Sequence, residues 1–88
     1  MNPVPVNSRP FAESMPQTFQ LSTEYIDLLQ FLKATGIAAT GGEAKAMVDD
    51  GLVDVNGEPE SRRRRKLRHG DELTIALTPA EQWVIQGA

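Results

Sequence analysis

Six of the nine Lys and Arg residues fall within seven positions, Arg62-Arg63-Arg64-Arg65-Lys66-Leu67-Arg68. A guanidinium can fork to two oxygens at once, so several in a row suit the spaced phosphates of a nucleic-acid backbone, where released counterions add to binding. Twelve carboxylates elsewhere bring the net charge to −3, so the positive charge is a local feature of an acidic chain. Burying one unpaired guanidinium costs several kcal/mol, roughly the stability margin of a small domain, so the run must be solvated or occupied. A solvated charged loop is the bland reading. The run lies, however, between an Asn-Gly turn and a second strand-like segment, and a charged run inside a folded hairpin has a fixed shape.

Other chemistry has little support. A nucleophilic triad needs a base, and the single histidine, His69, sits beside a glycine turn and reads as a solvent-exposed turn residue. Asp49 and Asp50 are adjacent, point to different sides of a helix, and read as a solvated helix end, not a general acid and base. No spacing suggests convergent metal ligands, and Gly41-Gly42 lacks the rest of a phosphate-loop signature. The sequence therefore predicts no catalytic residues, no cofactor and no metal.

A second contact with phosphate is available. Gly41 and Gly42 open a predicted helix, where the backbone N–H groups lack partners, the dipole end is positive and no side chain covers them. Lys45 lies about one turn further on the same side; the competing reading is a surface i,i+4 pair with Asp49. Phe31 and Tyr25 read as core and Trp83 as part of the C-terminal segment, which leaves no aromatic platform for stacking bases and favours recognition of backbone shape.

The elements that would position these residues follow from local signals. Pro3, Pro5, Pro10 and Pro16 punctuate residues 1–18, predicting a flexible arm. Phe19-Gln20-Leu21 alternates as a short edge strand. Ser22 or Thr23 can cap a helix from about Glu24 to Thr35, with Tyr25, Leu28, Leu29 and Leu32 on one face and Gly36 as its stop. Thr40 and Glu43 form a capping box for a second helix, whose stripe is Ala44, Met47 and Val48 and whose end is Gly51. Leu52-Val53-Asp54-Val55 then runs into Asn56-Gly57, the pair that a tight hairpin favours, with Pro59 at an edge. In an extended basic segment Arg62, Arg64 and Lys66 would face one side, and Arg63 and Arg65 would share the side of Leu67. His69-Gly70-Asp71 makes a second turn, and Leu73, Ile75 and Leu77 alternate in a strand. Thr78-Pro79-Ala80-Glu81 predicts one turn of helix ending near Val84, with Trp83 folded back on the domain.

In this order, Thr40-Gly41-Gly42-Glu43-Ala44-Lys45, Gly51, Val53-Asp54-Val55-Asn56-Gly57 and Lys66-Leu67-Arg68-His69-Gly70-Asp71-Glu72-Leu73 resemble the S-four RNA-binding domain family, the alpha-L motif, over about residues 19–77. Small stand-alone bacterial members share Gly-Gly-x-Ala-Lys, here Gly41, Gly42, Ala44 and Lys45, and Arg-Arg-x-x-Lys-Leu, here Arg62, Arg63, Lys66 and Leu67. Many members carry an Arg-Ser or Arg-Arg pair where this chain has Gly41-Gly42, so the exposed amides would have to serve. The resemblance implies one RNA-facing surface made of the helix pair and the hairpin, with structured or ribosomal RNA as the usual ligand.

Together these readings give an α+β fold, two short helices in a helix-turn-helix packed on a small antiparallel sheet, divided as arm 1–18, domain 19–77 and tail 78–88. They predict a monomeric, non-catalytic RNA-binding protein that associates with the ribosome. The expected RNA-binding residues are Gly41, Gly42, Lys45, Arg62, Arg63, Arg64, Arg65, Lys66 and Arg68. The alternative is a protein-interaction adaptor whose basic edge docks an acidic protein partner. With no cysteine and no apolar run near the ~18 residues that span a bilayer, the expected setting is the cytoplasm, away from membranes.

Overall fold

The hairpin turn at Asn56-Gly57 forms as its sequence demands, with φ of 54° and 85° at the two residues. In the computed structural model, which describes residues 16–87, it joins β3 (Val53–Val55) to β4 (Glu58–Pro59). The remaining strands are β1 (Gln17–Gln20), β2 (Ile26–Asp27), β5 (Lys66–Leu67), β6 (Glu72–Ile75) and β7 (Glu81–Gln86), and the helices are α1 (Leu28–Ala34) and α2 (Gly41–Asp49). Five strands form one sheet in the order β1-β7-β6-β3-β4, while β2 and β5 pair separately. The fold is α+β, with the two helices packed together and buried against the sheet. Every pairing is antiparallel except β1 with β7, so the sheet is mixed where an antiparallel one was expected. Pro59 lies on edge strand β4, where its missing N–H costs no ladder bond.

Periodicity accounts for the core. Leu28, Phe31 and Leu32 on α1, Ala44 and Val48 on α2, and Val53, Leu67, Leu73, Ile75 and Ile85 on strands are all buried. Phe31 meets Phe19 of β1 and Trp83 of β7 edge-on, with ring centroids 5.4 and 5.5 Å away. This geometry is favoured by the ring quadrupoles and fixes α1 across the parallel pair of strands.

Three sequence expectations are corrected. Helix α1 begins at Leu28, not Glu24, because Asp27 supplies the cap: its Oδ1 accepts the Gln30 N–H at 2.9 Å. The cap residue and the one before it are drawn into pairing with β5 instead, Asp27 with Lys66 and Ile26 with Leu67. Tyr25 is consequently no part of a helix and is 39% exposed, not core. Finally, the expected helical turn near Val84 is strand β7, hydrogen-bonded to β1 on one side and β6 on the other. Two ladders and the burial of Ile85 and Trp83 outweigh a local capping signal worth about 1 kcal/mol.

The boundaries move accordingly. Gln17 and Thr18, assigned to the arm, belong to β1, and residues 81–86 of the expected tail form a strand inside the sheet. Residues 1–15 of the arm lie outside the described residues.

Candidate nucleic-acid interface

The basic run is a turn and a short strand, not a continuous extended segment. The Arg65 N–H donates to the Arg62 carbonyl at 3.2 Å, closing a turn over Arg62–Arg65, and only Lys66–Leu67 pair as strand. The cause is Glu60, which is 7% exposed and whose backbone N–H is tied to the Val53 carbonyl on β3. Its carboxylate accepts the Arg62 N–H at 2.8 Å, the Arg62 Nε and Nη2 at 3.0 and 3.1 Å, and Arg65 Nη1 at 2.8 Å. A buried carboxylate without partners would cost several kcal/mol; with four donors it becomes the centre around which the arginines wind. The forked hydrogen bonds from Arg62, then the single one from Arg65, hold the Glu60 carboxyl at about 2, against burial, which acts the other way.

The predicted alternation of sides is therefore replaced by partners. Arg63 forks to Asp49 at the end of α2, at 3.1 and 2.6 Å. Asp49 is held below the ordinary aspartate range mainly by that hydrogen bond, with a smaller contribution from Lys45 one helical turn back. Arg64 reaches the cap residue Asp27 at 3.3 Å. Thus four arginines each have a carboxylate from their own chain, supplied by α2, by β2 and by the loop after β4.

Lys66 and Arg68 are held differently. Leu67 is fully buried between them, so strand alternation turns both outward. Lys66 Nζ lies 4.9 Å and Arg68 Cζ 5.5 Å from the centroid of the Tyr25 ring. Continuing the β2–β5 register by one step sets Tyr25 opposite Arg68 and diagonal to Lys66, which explains the contact. The Arg68 backbone N–H donates to Asp71 Oδ2 at 2.9 Å, and Asp71 Oδ1 accepts from Asn56 Nδ2 at 3.1 Å. The Asn-Gly and Gly-Asp signals thus lock two turns to one another and fix where the basic strand ends.

Arg62, Arg64, Arg65, Lys66 and Arg68 line one open concavity of ≈ 490 Å³. Arg63 is turned aside to Asp49. At α2, Thr40 Oγ1 accepts the Glu43 N–H at 3.1 Å, as the capping box predicts, while Glu43 Oε1 accepts the Ala39 N–H at 2.5 Å, one residue before the expected target. Among the described residues no acceptor is seen for the Gly41 and Gly42 N–H groups, and a Cβ built at Gly41 would meet open space. Nine helical residues put these glycines about 12 Å along the axis from Asp49, so they flank the arginine turn without joining it, and Lys45 stands between.

His69 serves the structure, since its Nδ1 accepts the Gly87 N–H at 2.8 Å and pins the end of β7. Among the described residues no cluster of His, Asp or Glu is placed to hold a metal ion, and no helix is long and apolar enough to cross a membrane. Sequence reasoning missed Glu60, Asp27 and Tyr25. Glu60 sits two and five residues from its arginines, a spacing that is neither helical nor that of paired strands, and Asp27 is 37 residues from Arg64.

The chain is 43% identical over 61 residues, 69% of its length and 86% of the relative's, to a probable ribosome maturation protein, RlbA, of Bacillus subtilis. It is 33% identical over 60 residues to the putative RNA-binding protein YbcJ of Escherichia coli, covering 67% of this chain and 86% of that one. The solution structure of YbcJ, described as revealing an alpha-L motif involved in RNA binding, matches with a TM-score of 0.56 at 32% identity, covering 76% of this chain and 85% of that one. The model of the S4 domain matches residues 19–84, from β1 into β7 and through both helices and the basic turn, and the chain belongs to the S4 domain family.

Proposed function

We propose that this chain is a non-catalytic RNA-binding protein that recognises structured RNA, with ribosomal RNA as the first candidate. The observation that carries the reading is the concavity itself: five cations gathered on one surface of a chain whose net charge is −3. The names of the relatives support it, one as a putative RNA-binding protein and one as a probable ribosome maturation protein. In this reading Arg62, Arg64, Arg65, Lys66 and Arg68 meet the phosphates, Arg63 borders them, and the Gly41 and Gly42 amides with Lys45 form a second contact. The protein works as a monomer in the cytoplasm.

The test is fluorescence anisotropy with a structured ribosomal RNA hairpin, a duplex DNA and an unstructured RNA across a salt series. Preference for the hairpin is expected, with a log–log salt slope of roughly −3 to −5 for about five phosphate contacts. The informative variant is Lys66→Glu with Arg68→Glu, since these two have no carboxylate partner among the described residues. Reversing Arg62 would instead set a carboxylate against buried Glu60 and confuse binding with folding. Weak and equal binding to all three ligands, unchanged in the variant, would overturn the reading and point to an acidic protein as the partner of this edge.

A further inference from the structure

Tyr25 is the one large aromatic ring left 39% open to solvent among the described residues, and it lies against Lys66 and Arg68, two of the five cations that line the concavity. Its place is fixed from both sides. Thr23 Oγ1 donates to the Tyr25 carbonyl at 2.8 Å, and the next residue, Ile26, is paired with Leu67 and packed on the core. The ring therefore cannot fold inward without breaking the β2–β5 pair.

Resting on the RNA-binding reading above, we infer that Tyr25 is a stacking platform for one unpaired nucleobase, with Lys66 and Arg68 as clamps for the phosphates on either side of it. Every nucleobase has a π face, and stacking on an exposed aromatic ring is stronger than the cation–π contacts an exposed lysine or arginine makes there. Exchange is favourable for both parties: the base takes the ring, and the two released cations, which have no carboxylate partner among the described residues, take phosphates. Lys66 and Arg68 end in exposed groups on the same side of the strand as the ring, so neither has to cross the fold to do so. The arginines of the turn offer no such subsite, being paired with Glu60, Asp49 and Asp27. The structure thus adds a preference for RNA helices interrupted by a bulged or flipped-out nucleotide to a surface that otherwise reads phosphates.

The experiment uses the full chain and three hairpins that share one stem: fully paired, with a single bulged adenosine, and with an abasic residue at the bulge. The abasic form keeps the phosphates and the kink and removes only the base. The parent should bind the adenosine bulge about 10-fold more tightly than the abasic one, within the range that stacking of one base supplies. Tyr25→Phe should keep that ratio. Tyr25→Leu should bind all three hairpins as the parent binds the abasic one, with its thermal midpoint unchanged because the ring is not part of the core. Equal binding of adenosine and abasic bulges by the parent, or a ratio that survives in Tyr25→Leu, would overturn the inference and leave RNA binding standing. Failure of the parent to bind any of the hairpins would remove the RNA reading and this subsite with it.

Discussion

Arg62 to Arg65 and the pair Lys66 and Arg68 are near neighbours of one chemical type, yet the fold restrains them by opposite means. The first four are bound to carboxylates, and their geometry centres on the buried Glu60. The other two rest against the Tyr25 ring and have no carboxylate partner among the described residues. A dense basic run is thus two devices: a carboxylate-held turn that gives the surface its shape, and a ring-held pair that stays available. Stability should track the first alone, while loss of the second should cost ligand contact without costing stability.

The largest effect that would break this division is at Glu60. Glu60→Ala removes the shared acceptor of Arg62 and Arg65, and because both arginines can regain water, the loss should be about 2–4 kcal/mol, at the lower end for a buried pair. A shift of the urea midpoint measures it. An unchanged midpoint would mean that the turn holds without its carboxylate.

Acid titration sharpens the same point. The Glu60 carboxyl is held at about 2 against an ordinary 4.5, so on acidification the unfolded chain takes up the proton first. Its stabilisation, about 2–3 kcal/mol, is present above pH 4.5 and lost as the pH falls towards 2. Urea unfolding of the parent should weaken across that window, and Glu60→Gln should show a flatter profile. Parallel profiles would assign the acid sensitivity to other carboxylates.

The ring-held pair predicts the reverse pattern. Lys66→Ala with Arg68→Ala should leave the urea midpoint within error while reducing the RNA salt slope by about 1.5 and the affinity at low salt by roughly 10-fold. The smallest effect is expected at Asp49, half-exposed like its partner Arg63. Asp49→Asn should leave stability unmoved, as is usual for surface pairs, and should raise RNA affinity slightly by freeing Arg63. Weaker RNA binding in that variant would show that Asp49 aims Arg63 at the ligand.

Where the signal was local, the residues spelled out the structure. Asn56-Gly57 takes the positive φ angles that its composition favours, Thr40 caps α2, and Leu73 and Ile75 alternate inward. The density of positive charge was legible, and five of the six cations of the run line the concavity, whose shape the sequence did not foretell. Tyr25 misled because its i, i+3, i+4, i+7 spacing with Leu28, Leu29 and Leu32 is genuine, but helical periodicity does not say where the helix begins. Pairing of Ile26 with Leu67, far along the chain, set that boundary. Trp83 misled in the same way: a Thr-Pro-Ala-Glu cap is a local preference, and two strand ladders from distant parts of the chain outweighed it.

By itself the sequence determined the family, the turns, the helices' buried faces and the presence of a basic patch, because each depends on residues within a few positions of one another. Only the tertiary structure decided which cations are held by carboxylates and which by an aromatic ring. Those partners, Asp27, Asp49 and Tyr25, stand far from the run in sequence and come to it only when β2, α2 and β5 are brought together. Electrostatic pairing depends on distance in space, and no pattern along the chain encodes that distance.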